Sequence, residues 1–266
     1  LMLALSGGAA LAAEAADEAK SRHFVQEDVF NLELVNDPQV APDGRRVVYV
    51  RTSMDIMKDQ PRANLWIINA DGSEQRPLLS SRQSYSSPRW SPDGKRLAFV
   101  SGAEGSPQVY VRWLDTGQTA LITNLPKGPG SLTWSPDGLW IAFTMFVPKE
   151  KEPLAKAPAK PEGAEWAPPV KVIDTVVYRA DGEGFLESGY THVFVVPAEG
   201  GTPRQLTQGD FDHGGRLSWT PDSRRIVFSA NRAADWELDP KEAIKGTTWV
   251  MGLVADAVRH GRRPSA

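Results

Sequence analysis

A four-residue turn, Ser-Pro-Asp-Gly or a close variant, occurs four times in this chain, and each time an apolar strand-like run follows it. The copies are "APDGRRVVYV" ending at Val50, "SPDGKRLAFV" ending at Val100, "SPDGLWIAFT" ending at Thr144 and "TPDSRRIVFS" ending at Ser229. Pro fixes φ at the first corner, Asp tolerates the bridge or left-handed region, and Gly takes positive φ at no steric cost. The aspartates are Asp43, Asp93, Asp137 and Asp222, so successive copies lie 50, 44 and 85 residues apart. A period of about 40–50 residues is that of a β-propeller blade.

Each turn is followed by a second strand pair: "NLWIINADGSEQRPLL", "QVYVRWLDTGQTALIT" and "HVFVVPAEGGTPRQLT". Only one such unit lies between Asp137 and Asp222, so the long gap reads as one blade carrying a large insert. The strands after the turns are apolar at consecutive positions, as expected where both faces of a strand are buried. Trp90, Trp134 and Trp219 stand two residues before the Pro of their turns and read as packing between blades. In the fourth copy Ser223 replaces Gly, which should strain the turn by about 1 kcal/mol. One blade cannot bury its own faces, so the units are stable only as neighbours.

These signals predict an all-β fold, a partial propeller of about four blades with PD40/WD40-like repeats over residues 23–240. The insert covers residues 148–171, where "PKEKEPLAKAPAKPEGAEWAPPVK" is too rich in Pro, Lys and Glu to build a core. After it, "VIDTVVYRADGEGF" reads as a hairpin turning at Asp181-Gly182. The blade pattern stops near Pro240. Residues 241–266 are expected to form an irregular tail of the kind a frameshift or premature stop produces, with "VMGLVADAVRHG" suited to a short amphipathic helix.

At the other end, "LMLALSGGAALAAEA" is an apolar run closing on Ala10-Leu11-Ala12, a small-x-small pattern of the kind signal peptidase reads, although it has no initial Met or positive charge. Residues 1–22 are expected to be a signal peptide and linker, and the mature protein to be periplasmic or secreted. The run is shorter than the ~20 apolar residues of a membrane span. A net charge of −3 offers no footprint for nucleic acid, and the absence of cysteine removes thiolate chemistry and Cys-based metal sites.

With the blades, "EDVFNLELVNDPQ", "GGTPRQLT" and "DWE", the chain resembles from about Phe24 to Pro240 the N-terminal propeller of prolyl oligopeptidase-family serine peptidases, of the acylaminoacyl-peptidase and dipeptidyl-peptidase type. The resemblance implies a propeller that gates peptide substrates above an α/β-hydrolase domain carrying Ser, Asp and His in that order. No G-x-S-x-G elbow occurs in this sequence, so no catalytic residue is carried over and no peptidase activity is expected of these residues alone. In the dipeptidyl peptidases of the family, acidic propeller residues hold the substrate's free α-amine. Asp235, Trp236 and Glu237 resemble such an anchor, since a desolvated ammonium needs a charged acceptor.

The rival expectation is a protein-binding module similar to the propeller of the periplasmic Tol system. A third is a pseudogene product with no function. No cofactor or metal is expected. His23, His192, His213 and His260 read as structural or solvated, and "GDFDHGG" gathers Asp210, Asp212 and His213 without the oxygen ligands of a calcium loop. Oligomeric state is not legible in the sequence.

Overall fold

The computed structural model describes residues 23–103, 105–149, 158–167 and 172–230, together with the backbone of 248–253. Its strands assemble into successive antiparallel sheets. Blade one is β1 (Glu33–Val40), β2 (Arg46–Asp55), β3 (Gln60–Asn69) and β4 (Arg76–Leu79). Blade two is β5 (Tyr85–Trp90), β6 (Arg96–Ser101), β7 (Gln108–Trp113) and β8 (Thr119–Leu121). Blade three begins with β9 (Pro129–Trp134) and β10 (Trp140–Pro148). A separate hairpin follows, β11 (Arg179–Ala180) and β12 (Gly184–Phe185), and blade three is then completed by β13 (Gly189–Pro197) and β14 (Arg204–Gln205). The long gap in the repeat is therefore one blade with an insert, and the insert hairpin turns at the expected Asp181-Gly182.

Blade four contains β15 (His213–Trp219), β16 (Arg225–Ala230) and β17 (Thr248–Leu253). The last of these corrects an expectation. The start of the anticipated helix is instead a strand, paired with β16 from Arg225↔Leu253 to Ala230↔Thr248. An unpaired edge on β16 is a template that local propensity does not register, and Thr248, Trp249 and Val250 are good strand formers. The rest of the expected helix lies outside the described residues.

The innermost strands β1, β5, β9 and β15 contact one another in sequence, which places the blades side by side. Alternation along each central strand then loads two seams at once. Leu97 and Phe99 join Val48, Val50, Leu65 and Ile67 between blades one and two. Ala98 and Val100 join Leu132, Trp134, Ile141 and Phe143 between blades two and three. Ala142, Val193 and Val195 meet Leu217, Ile226 and Phe228 between blades three and four. That two-sided demand is why "LAFV" and "IAFT" are apolar without interruption.

The repeated turn is closed by its own first residue. The Ser91 hydroxyl donates to Asp93 Oδ1 at 2.5 Å and accepts from Arg96 N–H at 2.9 Å, and Ser135 and Thr220 do the same in their turns. The Thr220 hydroxyl and the Arg224 N–H hold the Asp222 carboxyl below its ordinary range. Gly94 and Gly138 take positive φ, 68° and 71°, and Ser223 takes 58°. The strain expected at Ser223 is offset by a bond glycine cannot make: its hydroxyl accepts the Asp137 N–H of the preceding turn at 3.0 Å.

Candidate functional site

A cavity of about 870 Å³ lies where the insert folds back against blades three and four. The two ends of the insert are joined by the pairing of Pro148 with Gly189 and by the Lys149 N–H donating to the Ser188 carbonyl at 2.9 Å. Gly189 is required there, because a Cβ would stand 2.3 Å from the Val147 carbonyl oxygen and 2.6 Å from the Phe146 ring. The insert supplies an apolar wall of Val172, Ile173, Val177 and Phe185, all exposed. The blades supply Phe146, Tyr190 and Thr191.

Polar groups stand around this wall. Glu187 pairs with Lys127 at 2.5 Å, and Lys149 pairs with Asp210 at 2.5 Å while lying 6.0 Å from the Tyr190 ring centroid. The bond from Asp210 holds the Lys149 ammonium above its ordinary pKa. The Asp212 carboxylate, at the cavity rim, accepts the Thr191 N–H at 2.7 Å. Glu183, Glu187 and Asp212 add carboxylates to the cavity lining.

A second polar cluster runs between the innermost strands. Arg89 on β5 pairs with Asp37 on β1 at 2.8 Å, and its Nε donates to the Leu132 carbonyl on β9 at 3.1 Å. One side chain thus ties three blades. Asp37, Ser87 and Ser131 sit at equivalent positions with φ of 47°, 53° and 49°, each beside a register shift in its ladder. A bulge at that point re-aims the side chain, and Asp37 and Ser131 use it to reach a neighbouring blade, Arg89 and the Gly215 carbonyl respectively.

The expected amine anchor, Asp235, Trp236 and Glu237, lies outside the described residues. The "GDFDHGG" cluster does not converge on one point. Asp210 is taken by Lys149, Asp212 clips Thr191, and His213 turns into the seam between blades, where it stacks on His192. Among the described residues there is no group of three or more His, Asp or Glu placed to hold a metal. The histidine pair and the cavity had no signal in residue spacing, because the first forms only when blades three and four are set side by side and the second only when the insert folds back on blade three.

The TolB beta propeller domain family matches residues 41–152. Peptidase YuxL of Bacillus subtilis is 32% identical over 206 residues, which cover 77% of this chain and 31% of YuxL. The chain is homologous to this peptidase over its propeller part only. Dipeptidyl-peptidase 5 of Porphyromonas gingivalis is 24% identical over 243 residues, covering 87% of this chain and 34% of that protein. The chain thus spans about a third of the length of these two peptidases. In fold it is similar to the acylaminoacyl peptidase of Pyrococcus horikoshii, with a TM-score of 0.57 at 22% identity over 78% of this chain and 29% of that one. Among the described residues no helix is long and apolar enough to cross a membrane.

Proposed function

We propose that this chain is the substrate-gating propeller of an exported serine peptidase that hydrolyses short peptides. The observation that carries the reading is the 32% identity to peptidase YuxL, confined to the blades and to about a third of that protein. The blades hold no nucleophile elbow, so in this reading the acyl-enzyme chemistry belongs to an α/β-hydrolase domain outside these 266 residues. The propeller's part is to admit and position. Glu237, with Trp236 and Asp235 beside it, receives the free α-amine of the substrate, since a buried ammonium is held best by a carboxylate.

The test has two arms. Purified chain should leave dipeptidyl and acyl-aminoacyl 4-nitroanilides intact, whereas the polypeptide extended through the downstream reading frame should contain a G-x-S-x-G elbow and cleave them. Turnover by the 266 residues alone would end the proposal. In the extended protein, Glu237→Ala should raise KM for free-amine substrates and spare N-blocked ones; equal effects on both would remove the anchor assignment.

The match of residues 41–152 to the TolB propeller domain favours a second reading, a periplasmic module that binds protein and has no hydrolase partner. It predicts a downstream frame without an elbow.

A further inference from the structure

Two histidines at the seam between blades three and four serve no part of the proposed peptidase role. His192 lies on β13 and His213 opens β15, and both are buried, 5% and 0% exposed. Their rings stack with centroids 5.2 Å apart and planes 28° from parallel. His192 Nδ1 stands 3.3 Å from the Thr207 hydroxyl, and His213 lies edge-on to Phe228 at 5.6 Å. The charges that act on His192 are those of Asp212 and Asp210 in the loop entering β15, with Lys149, just past β10, paired to Asp210.

We propose that His192 and His213 form an acid-released latch between blades three and four, and that the latch governs the rim of the insert cavity. Stacked neutral imidazoles pack as ordinary aromatic rings. A proton on one ring puts a cation into a buried seam, and protons on both put two cations about 5 Å apart where water does not screen them. The nearby carboxylates are already engaged. Asp210 serves Lys149 and Asp212 serves the Thr191 N–H, each through one oxygen, and from there their pull on a proton at His192 is outweighed by the cost of burying it. Proton uptake is therefore coupled to separation of β13 from β15. Thr191 and Asp212, the residues adjacent to the two rings, line the cavity, and separating them opens its rim.

The direction of titration agrees. Burial holds His192 below its ordinary pKa, against the opposing pull of Asp212 and then Asp210. A histidine whose pKa is depressed in the folded state binds protons more readily when unfolded. Its contribution is intact above the unfolded pKa of ~6.5 and is lost as pH falls through that value toward the folded pKa.

The experiment is hydrogen–deuterium exchange of the whole chain at about pH 7.5 and about pH 5.5, corrected for intrinsic exchange rates. Amides of 191–195 and 213–217 should lose roughly tenfold protection in acid, while those of 97–100 and 109–111 in blade two hold theirs. In the double variant His192→Phe, His213→Phe, which keeps two stacked rings without titratable nitrogens, the acid effect should vanish. Unchanged protection at the seam of the parent protein, or an undiminished effect in a folded double variant, would overturn the latch. Should the double variant not fold, the imidazole C–H resonances of the parent protein decide: titration of both buried rings at the value of free histidine refutes the proposal, and depressed titration accompanied by seam exchange supports it.

Discussion

The seam between blades two and three and the seam between blades three and four are built from equivalent strand positions and filled differently. In the first, Trp134 Nε1 donates to the Arg89 carbonyl at 3.0 Å, and the Arg96 guanidinium lies 4.9 Å from the Trp134 ring centroid while donating to the Gly138 carbonyl. The seam between blades one and two repeats this with Trp90, the Gln39 carbonyl and Arg46. Between blades three and four the arginine position is Trp140, and Trp219 Nε1 is buried without a hydrogen-bond partner among the described residues. Polar side chains take over: the histidine stack, the Ser223 hydroxyl on Asp137, and the Ser131 hydroxyl on Gly215. The lesson is that the repeat dictates where blades touch, and the side chains dictate whether the contact is permanent or conditional.

The most severe way to break the first seam is to empty it. Phe143 is fully buried and stacks on Phe194 with ring centroids 5.6 Å apart. Phe143→Ala should cost about 3–5 kcal/mol, read from urea denaturation. Phe228→Ala in the other seam should cost less, because the apolar cluster around it is smaller among the described residues. Equal costs would show the two seams to be alike in cohesion.

Arg89→Met tests whether the inner strands act as one unit. It leaves the Asp37 carboxylate and the Leu132 carbonyl without their shared donor, a loss of roughly 1–3 kcal/mol. A double-mutant cycle with Asp37→Asn separates the ion pair from the carbonyl bond. If Arg89→Met alone proves neutral, the tie across three blades contributes nothing to cohesion.

How much of this was legible in the sequence follows from the range of each interaction. The turns were, since Ser91, Asp93 and Gly94 act on one another within four residues. The two-sided burial of "LAFV" was, because it is written as consecutive apolar positions. The insert hairpin was, from Asp181-Gly182. What pairs across a seam was not: His192 and His213 belong to different blades, and nothing local at either position announces a ring. Strand β17 was missed for the same reason, since the open edge of β16 and not a turn of its own recruits it. The cavity was invisible because Val172, Ile173 and Val177 look like any short apolar stretch until blade three stands opposite them.

The tryptophans give a finer comparison. Trp134→Phe removes a donor and strands the Arg89 carbonyl, so it should cost about 1 kcal/mol beyond the lost ring area. Trp219→Phe removes a buried N–H that has no partner among the described residues, so it should be neutral or stabilising by a similar amount. Thermal melts of the two variants side by side decide it. If both lose stability equally, Trp219 has a partner in the folded protein and the asymmetry between the seams is weaker than drawn.

The smallest expected effect is the most diagnostic of how the fourth turn came to tolerate Ser223. Glycine there would relieve the positive φ of 58°, a gain of up to ~1 kcal/mol, and would leave the Asp137 N–H without its acceptor, a loss of about the same size. Ser223→Gly should therefore change stability by less than about 0.5 kcal/mol, because the two terms oppose. Ser223→Ala keeps the strain and loses the bond, and should cost about 1 kcal/mol. A glycine variant clearly more stable than the parent would mean that the hydroxyl contributes little and the turn is merely strained. If alanine is tolerated as well as serine, the clip between the third and fourth turns is geometrically present and energetically idle, and the cohesion of that seam must then come from the histidine stack and the apolar residues beneath it.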